Sequence, residues 1–152
     1  MQPILPGKSY GSFAKQGQRF ALAVALLAVS LPAGPPRSIW ERVYSGAQSE
    51  RGLRVAMQEC ARCHGPNLEG GEGGPALAGP EFLRHWKGRS VAAWVEYTHA
   101  KMPEDNPGGV ALQECIDVFA WILHLSGVPA GAVELPRSTE ALREIRIEAH
   151  PE

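Results

Sequence analysis

The sequence predicts an all-α fold with loops that are long for its size. Three observations carry that reading. Apolar residues recur at helical spacing in several segments, and no segment pairs with a neighbour through a hairpin signal. Gly and Pro, 17 and 13 of 152 residues, gather between the helical segments. Loops of that length inside a small domain are expected where they wrap something. Aromatic residues make up only 7% of the chain, so few large side chains are available to fill its middle. Contents of 44% hydrophobic and 20% charged residues place it among chains that bury a core. A formal net charge of −1 excludes the strongly basic footprint of a nucleic-acid binder.

Taken in chain order, the first segment reads as an address. Residues 1–19 carry Lys8, Lys15 and Arg19 and no acid, and an apolar run follows over residues 20–31. Small residues and prolines come next, from Pro32 to Pro36. A basic start, a short apolar run and small residues are the layout of a secretory signal peptide. The run is shorter than the roughly 20 residues that a spanning helix needs. Residues 1–33 are therefore expected as a signal peptide cut after Ala33, and 34–40 as a linker. The alternatives are a buried core helix or an uncleaved membrane anchor. Removing the segment takes three of the fifteen bases and none of the sixteen acids, leaving a charge of −4. Export puts the three cysteines in an oxidising compartment.

The mature chain divides into a main domain over 41–128 and an extension over 129–152. A first helix is expected from Ser45 to Gln58, with Ser45 and Ser49 as candidate N-caps and Val43, Ala47, Leu53 and Ala56 at roughly helical spacing. A Gly/Pro-rich loop then runs from Gly65 to Pro80. Short helices are expected over Glu81–His85 and, after Ser90 as N-cap, over Val91–His99. Met102-Pro103 opens a polar loop that ends at Gly108-Gly109. The clearest helix is Leu112–Leu125, where Leu112, Cys115, Ile116, Phe119, Ala120, Ile122 and Leu123 step by three and four before Gly127 and Pro129 stop it. A last amphipathic helix is expected over Thr139–Ile147, with Leu142, Ile145 and Ile147 facing inward.

Cys60-Ala61-Arg62-Cys63-His64 is C-x-x-C-H, the attachment signal for a c-type haem. Two thiols three positions apart on a helical turn can each add to one of the porphyrin's two vinyl groups. The next residue, His64, is then held under the iron as proximal ligand. A thioredoxin-like C-x-x-C requires a preceding strand and a βαβ unit, and neither is visible. A zinc site requires a second cysteine pair, and Cys115 is alone. For a second axial ligand, Met102 lies on a loop 38 residues after His64 and has a soft thioether. His99 and His85 are its rivals.

Four ordered motifs carry a family resemblance: Cys60–Gly65, Gly74-Pro75-Ala76-Leu77, Lys101-Met102-Pro103 and Asp117–Ile122. Together they resemble a monohaem class I cytochrome c over about residues 40 to 128. The resemblance implies a small helical fold wrapped round one covalent haem c, with His64 and Met102 as iron ligands and single-electron transfer as the activity. By position, Pro75 resembles the proline whose carbonyl accepts the proximal histidine's other N–H. Leu77 resembles the leucine on the haem face. Trp86 resembles the tryptophan near a haem propionate, with Arg89 as a cation beside it. Trp121 resembles the last-helix aromatic that packs on the first helix, where Gly52 permits close approach. The first-helix position that often carries an aromatic is Ala56 here, and Cys115 reads as a small buried hydrophobe.

Within the extension, Pro129 to Ile147 is similar to tails of cytochromes that partner periplasmic quinoprotein dehydrogenases. The expected partners are therefore redox proteins, a dehydrogenase as donor and an oxidase or another cytochrome as acceptor. They would be met transiently in the periplasm, and a negative mature chain favours a positive docking patch. Membrane contact is expected only if the N-terminal segment stays as an anchor. The alternatives are a fixed haem subunit of a dehydrogenase complex, and a haem enzyme or gas sensor should the distal ligand be labile.

Overall fold

A computed structural model describes residues 37–150. The expected signal peptide, 1–33, lies outside these residues. Among the described residues, no helix is long and apolar enough to cross a membrane.

The architecture is helical, as expected: α1 Gly46–Glu59, α2 Ala61–His64, α3 Gly79–Trp86, α4 Val91–Lys101, α5 Leu112–Leu125 and α6 Thr139–Arg143. Ser45 caps α1, its side chain accepting from Gln48 N–H at 3.1 Å, and Ser90 caps α4 through Ala93 N–H at 3.2 Å. At the start of α5 the Glu114 carboxylate accepts from Ala111 N–H at 3.0 Å. Each cap satisfies a donor that the first helical turn leaves without a partner.

α1 packs along α5, and Gly52 makes that packing possible. A Cβ there would collide with the Asp117 carbonyl. The seam between the two helices is polar. Gln48, fully buried, donates to Asp117 at 3.1 Å, and Arg51 reaches both Asp117 and Glu134 at 2.9 Å. Gln48 also accepts from Leu135 N–H at 2.8 Å, which brings the extension into the same seam. Behind it lies the core, where Trp94 and Phe119 meet at a centroid distance of 5.0 Å and Phe82 lies 6.3 Å from each. Ala56 and Cys115 are both fully buried in it. Trp121 is half-buried on α5, stacked on His124 at 5.0 Å, and its indole N–H is buried without a hydrogen-bond acceptor.

Four details differ from expectation. The tail helix stops at Arg143, and Ile145–Arg146 (β2) pairs in parallel with Arg37–Ser38 (β1). Ile145 and Ile147 are buried with Arg146 between them half-exposed, which is strand periodicity in β-branched residues. Residues 37–40, expected as linker, are part of this closure. Ile39 is fully buried and Trp40 Nε1 donates to Glu148 O at 3.3 Å. The boundary expected at 128 also divides elements that pack together, because Val128, Leu135, Leu142, Ile145 and Ile147 all sit in the main core. In α1, Ala47 is exposed while Gln48 and Ser49 are buried, since the seam with α5 is built from polar groups.

Candidate functional site

α1 ends at Glu59, and the chain turns directly through Cys60 into α2, so the four-residue helix Ala61–His64 carries the rest of the C-x-x-C-H segment. Cys63 N–H and His64 N–H both donate to the Cys60 carbonyl, at 3.2 and 3.0 Å, which closes the turn. Cys60 is half-buried and Cys63 exposed. Burial, reinforced by the neighbouring charge of Glu59, pushes the Cys60 thiol up to about 11.

His64 is 9% exposed, and its Nδ1–H donates to the Pro75 carbonyl at 2.7 Å. That bond leaves Nε2 as the ring nitrogen with a free lone pair. Gly74 lies against the ring, where an added Cβ would stand 2.7 Å from Cε1. The loop after α2 therefore fixes both the tautomer and the tilt of the imidazole.

Beside this turn lies a cavity of about 830 Å³. It brings together all of the residues expected for a cofactor site. Cys60, Cys63, His64, Pro75 and Leu77 line it from the attachment turn and its loop, Trp86 from the end of α3, Arg89 from the turn after it, and Met102 from the C-cap of α4. The Arg89 guanidinium stands 4.9 Å from the Trp86 ring centroid, and Trp86 and Tyr97 rings are 6.1 Å apart. His85 lies on the lining as well. His99 does not: its Nδ1–H donates to the Val110 carbonyl at 2.8 Å, closing the loop that begins at Met102.

Further lining residues escaped the sequence reading. Phe82, Trp94 and Val118 form apolar wall, and Tyr97 is exposed at the mouth. The step of three from Trp94 to Tyr97 on one helix was the available signal. Cys115 also lines the cavity, and burial pushes its thiol up to about 12, so it stands there as a neutral apolar group. At the mouth, Arg62 forms an ion pair with Asp105. The hydrogen bond to Arg62 holds the Asp105 carboxyl below its ordinary value.

The residues present fit a covalent haem: two thiols on one helical turn, an imidazole with a fixed tautomer, a thioether on the same cavity and a largely apolar wall. Among the described residues, no group of three or more His, Cys, Asp or Glu side chains is arranged to hold a bare metal ion. A small helical fold with a C-x-x-C-H turn opening on such a cavity defines a c-type cytochrome. Residues 47–122 match the family described as cytochrome C oxidase, cbb3-type, subunit III, and the chain belongs to that family of class I c-type cytochromes. Membership implies covalently bound haem c and electron transfer. Among solved structures the chain is similar to one from the sulfane dehydrogenase SoxCD of Paracoccus pantotrophus, at 17% identity and a TM-score of 0.47, over 80% of this chain and 68% of that one. No curated protein matches it.

Proposed function

We propose that the protein is a one-electron carrier of a periplasmic, dehydrogenase-linked chain. Cys60 and Cys63 would hold one haem c, and His64 and Met102 would serve as its iron ligands. The haem supplies an iron that alternates between Fe(III) and Fe(II). This chain's residues do the rest. Cys60 and Cys63 attach the group, so a loop-rich fold retains it. His64 presents Nε2, because Pro75 O occupies Nδ1–H, and that hydrogen bond makes the imidazole a better donor. Met102 offers a weak thioether donor that favours the ferrous state. Leu77, Phe82 and Trp94 keep the cavity wall apolar, while Arg89, seated over the Trp86 ring, offers a cation for a propionate. No proton transfer or nucleophile is needed.

The single observation that carries the axial assignment is the contrast in placement. Met102 and His85 line the cavity and His99 does not, and of the two lining residues Met102 alone offers a soft thioether. The partners are redox proteins: a dehydrogenase gives the electron, and an oxidase or second cytochrome takes it through a small, transient interface. The mature charge of −4 tunes how fast they meet more than how tightly they hold. Nucleic acid is not a partner.

Intact mass of the purified exported protein tests the reading, with the expected result being a chain starting near residue 34 plus one haem. Cys60→Ser with Cys63→Ser removes all haem that resists acid–acetone extraction, while Cys115→Ser keeps it. Resistant haem in the double variant rejects covalent attachment through this pair. A full-length, membrane-bound mass would instead make the N-terminal segment an anchor. A complex with the dehydrogenase that survives gel filtration in high salt would make the protein a fixed subunit.

A further inference from the structure

The loop from Met102 to Val110 is tied at its base and along its length. His99 Nδ1–H donates to Val110 O at 2.8 Å, Asn106 N–H to Pro103 O at 2.9 Å, and Gly109 N–H to Asn106 O at 2.9 Å. All of these bonds lie within the loop or join it to α4. Its link to the attachment turn is of another kind. Arg62, one of the two residues between the attachment cysteines, reaches 43 positions along the chain to pair with Asp105, three residues after Met102. Both residues line the cavity.

We propose that Arg62 and Asp105 form a latch across the cavity mouth, holding the Met102 loop against the attachment turn and so limiting displacement of the Met102 thioether by small external ligands. The inference rests on the reading of Met102 as an iron ligand. Arg62 and Asp105 are positioning residues, since neither touches the reacting atoms. Their side chains are 56% and 59% exposed, so the pair is of modest strength and open to screening by salt. When the latch opens, the loop keeps its base and its turns and swings as a unit. The site thus accepts external ligands a few-fold more readily once one surface contact is broken.

Imidazole is the probe, titrated into the ferric holoprotein while the sulfur-to-iron charge-transfer band is followed. Its apparent affinity scales with the fraction of molecules in which Met102 has left. Arg62→Gln and Asp105→Asn are each expected to raise that affinity about two- to fivefold at low salt. The double variant should gain no more than either single one. Adding salt should bring the wild type toward the variants and leave the double variant unmoved, and Arg62→Asp with Asp105→Arg should restore resistance. Thermal midpoints should not follow this pattern, which separates a latch from a general loss of stability. Asp105→Asn lies outside the attachment motif, so it stays informative should Arg62→Gln impair haem attachment. Unchanged affinity in Asp105→Asn, or gains that add in the double variant, overturns the latch. Met102→Ala serves as the separate arm: if it leaves band and imidazole affinity unchanged, the ligand assignment itself fails, and the latch with it.

Discussion

His64 and His99 are set into the chain by the same device. Each ring donates Nδ1–H to a backbone carbonyl eleven residues downstream, at 2.7 Å to Pro75 and 2.8 Å to Val110. Each bond therefore fixes a tautomer and closes a loop. The surroundings differ. His64 follows the attachment cysteines, leans on Gly74 and opens on the cavity, whereas His99 lies on α4 away from the lining and serves the loop that carries Met102. On the proposed ligation, an anchored imidazole is thus only half of a ligand. The other half is where the free nitrogen is delivered, and that depends on which loop the ring closes.

The comparison breaks most sharply in a pair of variants. Met102→Ala should erase the ferric sulfur-to-iron band entirely and lower the reduction potential, because a weak donor that favours Fe(II) is lost. His99→Ala should keep the band and cost about 1 kcal/mol of stability, since it leaves the Val110 carbonyl with only the weak Cys115 thiol donor at 3.9 Å. The reverse outcome, with His99→Ala shifting band and potential and Met102→Ala silent, would exchange the roles of the two residues. Denaturant unfolding and a spectroelectrochemical titration read both effects.

A smaller effect is expected from Gly74→Ala. The new Cβ would stand 2.7 Å from the His64 ring, so the ring must tilt away from Pro75 or the loop must move. Overpacking of this kind costs about 1–3 kcal/mol. The potential should shift with it, because the hydrogen bond that strengthens His64 as a donor is disturbed. A stability loss without any change in potential would show that the tilt of the ring does not matter.

The smallest effect belongs to Glu134, which lies outside both histidine loops and calibrates them. The hydrogen bond from Arg51 holds its carboxyl below the ordinary value of 4.5. A depressed native value means the stabilisation is complete above pH 4.5 and is lost as pH falls through the native value. Glu134 is 40% exposed, so solvent screening keeps the contribution to about 0.5 kcal/mol. Glu134→Gln should remove that part of the acid slope of stability and leave the charge-transfer band untouched at every pH.

How much of this was readable in advance follows from the range of the interactions. α5 appears at its expected bounds because its apolar steps and its stop at Gly127 are local, and α4 starts where Ser90 places it. Cys60 to His64 is contiguous, so the attachment turn needed no fold to be recognised. The buried seam of Gln48, Asp117 and Leu135 left no trace, because polar residues on a helix look exposed until a distant segment covers them. The tail misled for the same reason. Ile145 and Ile147 fit a helical stripe as well as a strand, and only a partner near residue 37 decides between them. In the site, Phe82 and Trp94 were missed because wall residues carry no motif of their own.

The pairing of Arg37–Ser38 with Ile145–Arg146 also sets an order of events. It joins the two ends of the described residues, so among them it closes the longest loop and costs the most closure entropy. The attachment turn and the α1–α5 seam can assemble before it. The edge that seals Ile39 and Ile147 is therefore expected to close last, which hydrogen-exchange pulse labelling during refolding would check. Until residue 147 has arrived, the domain is a cytochrome core with one side unzipped.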